Sequence, residues 1–310
     1  MVRATVLLPV RNGGRWLEET IQSLEDQTFK DFELLVIDDG STDNSIDIIK
    51  QSNLQHIRII PGPQQGLAKA LALGVNEAKT EIIFRQDQDD ISLPSRFQLQ
   101  YNFLEENKDH VAVGSNATKI DEKGKKKGVI KSPNKSKAIE MYFNLSNPLV
   151  HSSMAFRKSA VLAAGNYWSP SSDPFPEDFH LWSRLIKNGR ISVLSKRLVK
   201  YRLSSKGISR MFYEVLAKEA YLIARQNLEN RINNDLSTKL NRNALQIYCF
   251  RNMKITFFEL LSIYKNLYRI KKKSGFKDIE LGFSSIVYLR PIWHWVKKDT
   301  IKEKLHKNSV

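Results

Sequence analysis
Two hydrophobic rhythms alternate through the first 110 residues. Thr5–Val10, Phe32–Ile37, Ile57–Ile60 and Glu81–Phe84 are short, largely apolar runs and read as strands. Between them, Trp16–Leu24, Ser45–Lys50 and Gly66–Ala78 repeat at the helical period. In the first of these, Trp16, Leu17, Thr20, Ile21 and Leu24 share one face. Strands alternating with helices of this length predict βαβ units on a parallel sheet. Pro61-Gly62-Pro63 punctuates one junction.

The rhythm changes at Val111. Val111–Ile120 and Val129–Lys131 read as two strands joined by a polar, basic hairpin tip, Asp121–Gly128. His151–Phe156 follows as a strand, Lys158–Ala164 as a short helix and Glu177–Lys187 as an amphipathic helix. Ile191–Leu203 then forms one or two strands. After Met211 the pattern is helical and basic. This divides the chain into residues 1–208 (halves 1–110 and 111–208) and a helical region, 209–310.

Charge sharpens that division. The chain carries a net +16, and from Lys206 onward 21 Lys and Arg stand against 9 Asp and Glu, a surplus of +12. Two regions with different partners are expected. The lone Cys249 excludes an internal disulfide and fits a reducing compartment. The apolar run at the N-terminus is too short for a signal peptide, and no run approaches the ~18–20 residues of a membrane-spanning helix. The expected location is the cytoplasm, with a peripheral place on the inner face of the plasma membrane as an extension. Aromatics interleaved with cations in Ile286–Lys298, and the run Lys271-Lys272-Lys273, suit an anionic membrane surface. They equally suit a helical appendage packed on the first region. No nucleic-acid-binding module is present, and none is expected as partner.

Two of the strand ends are acidic: Asp38-Asp39, and the cluster Asp87, Asp89 and Asp90. In a parallel sheet both fall on the carboxyl edge and line one crevice. Carboxylates this close repel, and a divalent cation such as Mg²⁺ or Mn²⁺ relieves them while bridging to phosphate oxygens. Asp90 or Ser92 is also a plausible N-cap for a following helix. No Gly-x-x-x-x-Gly-Lys loop occurs, and Gly13-Gly14 does not make the dinucleotide-binding turn, which argues against a P-loop kinase or a dehydrogenase. A third acidic pair, Glu177-Asp178, opens a helix in which Phe179, Trp182, Leu185 and Ile186 can face the core. Such acids also complement a helix dipole.

Several of these segments together resemble family 2 glycosyltransferases: Val6–Asn12, Ser23–Phe29, Glu33–Asp43, Gly66–Leu71, Asp87–Asp90 with Leu93-Pro94-x-Arg96, and Glu177-Asp178. The likeness spans roughly residues 4–205. It implies a GT-A type, Rossmann-like α/β domain with a mostly parallel sheet flanked by helices, here followed by a C-terminal helical region. It further implies an inverting, metal-dependent transfer from a nucleotide-diphosphate sugar, UDP-linked by preference, to a lipid-linked or oligosaccharide hydroxyl in surface polysaccharide assembly. Carried over by residue, Pro9, Arg11, Asp38 and Asp39 line the base and ribose pocket. Asp87 and Asp89 hold Mn²⁺ or Mg²⁺, and Asp87 and Asp90 lie against the donor. His151 stands beside the donor diphosphate. Asp178 is the catalytic base, and Glu177, His180 and Trp182 serve the acceptor. Lys69 and Arg85 read as surface or salt-bridging residues, Lys69 also being a cation available to the nucleotide sugar. The chain departs from the family at His180, where a second Asp is common, at Ser204-Ser205 after Tyr201-Arg202-Leu203, where a histidine is common, and at Arg11, often aromatic. Those departures keep a non-catalytic nucleotide-sugar-binding or membrane-scaffold protein in play. A sugar-phosphate nucleotidyltransferase is a further alternative, although its basic phosphate loop is missing.

Overall fold
The structure, a computed structural model, describes residues 1–232 apart from 145, 171–173 and 206. The basic runs Lys271–Lys273 and Ile286–Lys298 lie outside the described residues. The first compact unit is Met1–Leu228.

The unit is built on a nine-stranded mixed sheet in the order β3-β2-β1-β4-β8-β6-β9-β5, with β7 paired to β6. Its first four strands are parallel neighbours: β1 (Ala4–Val10), β2 (Phe32–Asp38), β3 (Ile57–Pro61) and β4 (Ile82–Arg85). Every residue of β1 is buried, as a central strand covered on both faces requires. Helix α1 (Leu17–Glu25) buries Leu17, Thr20, Ile21 and Leu24, the face read from the sequence. Helix α2 is Ser45–Lys50, and α3 (Leu67–Glu77) lies on β1 and β2. Under the sheet, Phe84 stacks on Phe97 with ring centroids 4.3 Å apart, and Phe97 meets Phe32 edge-on at 5.5 Å.

The second half adds β5 (Ile91–Ser92), α4 (Arg96–Glu106), β6 (His110–Ile120), β7 (Lys126–Ile130), α5 (Ser136–Tyr142), β8 (Ala155–Arg157) and α6 (Lys158–Ala163). It continues through α7 (Glu177–Leu185), β9 (Arg190–Arg202), α8 (Ile208–Met211) and α9 (Tyr213–Ile232). Among the described residues, no helix is long and apolar enough to cross a membrane.

Three local expectations change. His151–Ser153 is a 3₁₀ turn, and only Ala155–Arg157 continues as strand. The Ser153 hydroxyl donates to the Val150 carbonyl and the Ser152 hydroxyl to the distant Asp90, so side-chain bonds, one local and one tertiary, displace the ladder. Neither Asp90 nor Ser92 caps a helix: Ile91–Ser92 pairs with β9, and α4 starts only after Ser95. The hairpin tip is shorter than Asp121–Gly128, because Lys126 already pairs with Ile120. Helix α5 has no counterpart in the sequence reading.

Candidate active site
Parallel pairing of β1, β2 and β4 brings Val10, Asp38 and Arg85 to one carboxyl edge. The two acidic strand ends are therefore neighbours, but their carboxylates are used differently. Asp38 Oδ1 accepts the Ser41 N–H at 2.9 Å, closing the turn after β2. Asp39 is buried, and it accepts the N–H groups of Gln64 at 2.6 Å and Gly66 at 3.1 Å. It thus pins the loop leading into α3. Gly62 makes that closeness possible, since a Cβ there would lie 2.9 Å from the Asp39 Cα. Pro9 is buried within β1, whereas Arg11 and Lys69 are exposed. Arg11 donates its N–H to Gln88 Oε1 at 2.9 Å, and Gln88 Nε2 returns a bond to the Arg11 carbonyl at 3.2 Å. The loop after β1 is thereby tied to the acid cluster.

Within that cluster, Asp87 and Asp89 are half-buried and Asp90 is fully buried. Burial and the neighbouring Asp87 charge push Asp89 up to about 7. Among the described residues Asp89 forms no salt bridge, although Arg85 and Arg202 lie close enough to oppose this rise. Asp90 is directed into the fold: it accepts from the Ser152 hydroxyl and from the Arg202 N–H at 2.8 Å. Burial and the charges of Asp87 and Asp89 hold it well above the usual carboxylate range. Carboxylates whose mutual repulsion Arg85 and Arg202 relieve only in part suit a divalent cation, so Asp87 and Asp89 are chemically able to hold one.

Of the two readings offered for Arg85, surface or salt-bridging, the structure shows the second. It is 1% exposed and ion-paired to Asp87 through Nη1. That ion pair engages Nη1, whereas Nε has no hydrogen-bond partner among the described residues.

A second constellation stands at the start of α7. Asp178 Oδ2 accepts from Asn147 Nδ2 at 2.7 Å, and its Oδ1 from the Phe179 N–H at 2.6 Å. Burial and the adjacent Glu177 charge raise Asp178 above its ordinary value. His151 places Nδ1 3.6 Å from Glu177 and 3.9 Å from Asp178, while Nε2 meets the Tyr167 hydroxyl at 2.9 Å. Burial and the Arg85 charge depress His151 to about 3, so its ring is neutral at physiological pH. His151, Glu177 and Asp178 each bring a ligand atom within 4.8 Å of the others, a spacing that a metal ion would also accept. Trp182 is fully buried behind His151, with ring centroids 5.6 Å apart, and it presents no surface to an acceptor. His180 packs against Trp168 and Phe175.

The two constellations are joined. Asp90 is bonded to Ser152, the preceding residue is His151, and His151 faces Glu177 and Asp178. Sequence reasoning missed Asn147, Ser152 and Tyr167, which hold these groups. Their only signal was proximity to His151 along the chain.

An acidic crevice on a GT-A-like sheet defines a class, and comparison with known proteins gives the family. The Glycosyl transferase family 2 profile matches residues 5–164. The chain is 31% identical over 193 residues to the amylovoran biosynthesis glycosyltransferase AmsE of Erwinia amylovora, covering 61% of this chain and 71% of that one. It is 31% identical over 212 residues to the O-antigen biosynthesis glycosyltransferase WbnJ of Escherichia coli, covering 65% and 80%. Among solved structures, S. aureus TarS 1-349 in complex with UDP-GlcNAc shares the fold, with a TM-score of 0.63 at 19% identity over 88% of this chain and 82% of that one. The chain belongs to glycosyltransferase family 2 and is a glycosyltransferase. A nucleotidyltransferase is thereby set aside.

Proposed function
We propose that the chain performs an inverting, metal-assisted transfer of a sugar from a UDP-sugar to a hydroxyl of a lipid-linked or oligosaccharide acceptor in surface polysaccharide biosynthesis. One observation carries this reading: the acids at the end of β4 and the Asp178 carboxylate converge on one turn, where Ser152 bonds Asp90 and the neighbouring His151 lies 3.9 Å from Asp178. Direct displacement at an anomeric carbon needs a base on the acceptor side and stabilised charge on the leaving group. Asn147 fixes the orientation of Asp178, and a carboxylate raised above its ordinary value is, while ionised, a stronger proton acceptor than an ordinary one. Glu177 stands beside it for the acceptor, and His180, packed on Trp168 and Phe175, is assigned to the acceptor side from the same helix. A divalent ion, Mn²⁺ or Mg²⁺, held by Asp87 and Asp89 would neutralise charge on the departing diphosphate. Asp38, Asp39 and Arg11 shape the loops where the base and ribose would sit, with Pro9 beneath them and Lys69 nearby on α3. The donor nucleotide is suggested by the UDP-GlcNAc complex of TarS, and the pathway by the names of the two relatives.

The test is Asp178→Asn. Turnover should fall about 10²-fold or more, while the thermal shift given by a UDP-sugar with Mn²⁺ stays as in the parent. Undiminished turnover would remove Asp178 from the role of base. The basic C-terminal region is proposed to meet anionic lipid. Charge reversal at Lys271, Lys272 and Lys273 should then weaken sedimentation with anionic vesicles, and unchanged sedimentation would count against it.

A further inference from the structure
Coordinating carboxylates work best when the backbone that carries them is held by groups behind them. The turn after β4 is held carbonyl by carbonyl. Gln86 Nε2 donates to the carbonyls of Asp87 at 3.0 Å and Asp90 at 2.9 Å. The Thr20 hydroxyl on α1 lies between the carbonyls of Gln88 and Asp90, at 3.0 and 3.1 Å. The remaining carbonyl, that of Asp89, accepts from Arg202 Nε at 2.9 Å. The only side chain bonded to the Asp89 peptide in this set therefore comes from the last residue of β9.

The Arg202 side chain is fully buried, and all three of its nitrogens are bonded. Nη2 pairs with Glu19 Oε2 on α1 at 2.8 Å, and Glu19 is itself half exposed. Nη1 donates to the Glu122 carbonyl in the hairpin tip at 3.3 Å, with the Asp121 carbonyl at 3.5 Å. The guanidinium carbon lies 5.4 Å from the Trp16 ring centroid, and Trp16 Nε1 donates to the same Glu122 carbonyl at 3.3 Å. The Glu122 carboxylate is fixed in turn by Arg15 at 2.9 Å and by the N–H and hydroxyl of Ser205 at 2.8 and 2.6 Å. One planar group thus joins α1, the hairpin tip and the end of β9 to the backbone of Asp89. A guanidinium fork fixes direction as well as distance, and an ammonium cannot serve the same three directions. Burying a cation costs desolvation that an apolar side chain would avoid, so packing alone does not account for it.

We propose that Arg202 is a positioning residue for the metal-assisted transfer: its buried guanidinium locks the Asp89 peptide against α1 and the hairpin tip, so that the Asp89 carboxylate is held in place for a divalent ion. The inference rests on the reading that Asp87 and Asp89 hold that ion. Asp89 forms no salt bridge among the described residues, so the lock acts on its backbone and leaves its carboxylate free of an ion pair.

The measurement is Mn²⁺ binding to the full chain with UDP present, read from the loss of the free-ion EPR signal, for the parent, Arg202→Lys, Glu19→Ala and Asp89→Ala. Arg202→Lys keeps the charge and the backbone bond to Asp90 but loses the fork. Its Mn²⁺ affinity should fall about 10-fold or more, as when a group that orients a metal ligand is removed. Glu19→Ala frees Nη2 from a half-exposed partner, and its affinity should fall in the same direction by less. A purely structural Arg202 would lower the urea midpoint of Arg202→Lys and leave the Mn²⁺ affinity of the folded protein at the parent value, which overturns the proposal. If Arg202→Lys does not fold, an unchanged affinity in Glu19→Ala overturns it instead. Asp89→Ala separates the two claims: if it keeps the parent affinity, the metal reading and the inference both fall. If it loses the ion while Arg202→Lys keeps it, the inference alone falls.

Discussion

The backbone N–H of Arg202 donates to Oδ1 of Asp90 at 2.8 Å, across 112 positions of sequence. This bond ties the last residue of β9 to the acid loop after β4. Its partner on the other oxygen is the Ser152 hydroxyl. Asp90 is therefore a clamp for three segments rather than a group open to ligand. Burial and its neighbours Asp87 and Asp89 favour its neutral form. A neutral isostere should be tolerated better than truncation. In urea melts, Asp90→Ala should cost about 1–3 kcal/mol through unsatisfied partners, and Asp90→Asn clearly less. The reverse order would contradict the clamp.

Two groups are chemically able to hold a divalent ion: Asp87 with Asp89, and His151 with Glu177 and Asp178. Both are partly engaged: Asp87 is ion-paired to Arg85, His151 meets Tyr167 and Asp178 accepts from Asn147, which leaves Asp89 without an ion pair among the described residues. Mn²⁺ titrated into the protein with UDP present should bind much more weakly in Asp89→Ala than in His151→Ala. Chelation should likewise cancel any thermal shift given by the nucleotide. Equal weakening in both variants would place the ion between the two groups.

His180 gives a pH dependence of stability. Burial and the Arg184 charge lower it from 6.5 to about 4 in the folded chain. Between those values the unfolded chain binds the proton and the folded one does not, so stability rises with pH. This contribution is complete above about 6.5 and is lost as pH falls toward 4. His180→Phe keeps the ring contacts and removes the titration. Its urea midpoint should fall less than the parent's between pH 6.5 and 4.5, and parallel curves would show that His180 does not contribute.

Gly74 lies where α3 crosses the sheet. A Cβ there would be 2.1 Å from Leu7 Cδ1 and 3.1 Å from Ile37 Cγ1, and both residues are fully buried. Gly74→Ala gains helix propensity of about 1 kcal/mol, yet overpacking of a closed core costs about 1–3 kcal/mol. A net lowering of Tm is expected in calorimetry, and a rise would mean that the β1–α3 contact has slack.

Much of the first half was legible because its signals are local. The apolar runs of β1, β2 and β4 name buried parallel strands, and parallel strands put their ends on one edge. Asp38-Asp39 and Asp87–Asp90 could thus be placed together without coordinates. The helical face of α1 was equally plain. The His151–Ser153 turn was not, because the bonds that bend it run from its serines to Val150 and to Asp90, and the Asp90 partner is 62 positions away.

The sequence by itself determined the acids, their strand-end positions and the Glu177-Asp178 pair, since residue type and hydrophobic period are written along the chain. Only the tertiary structure decided which carboxylates remain available. Asp39 and Asp90 spend their oxygens on backbone N–H and hydroxyl groups, while Asp89 stays without an ion pair among the described residues. It also decided between the surface and salt-bridging readings of Arg85, which is buried and ion-paired to Asp87. Charge, burial and bonding depend on what packs against a side chain, and those neighbours come from distant parts of the chain.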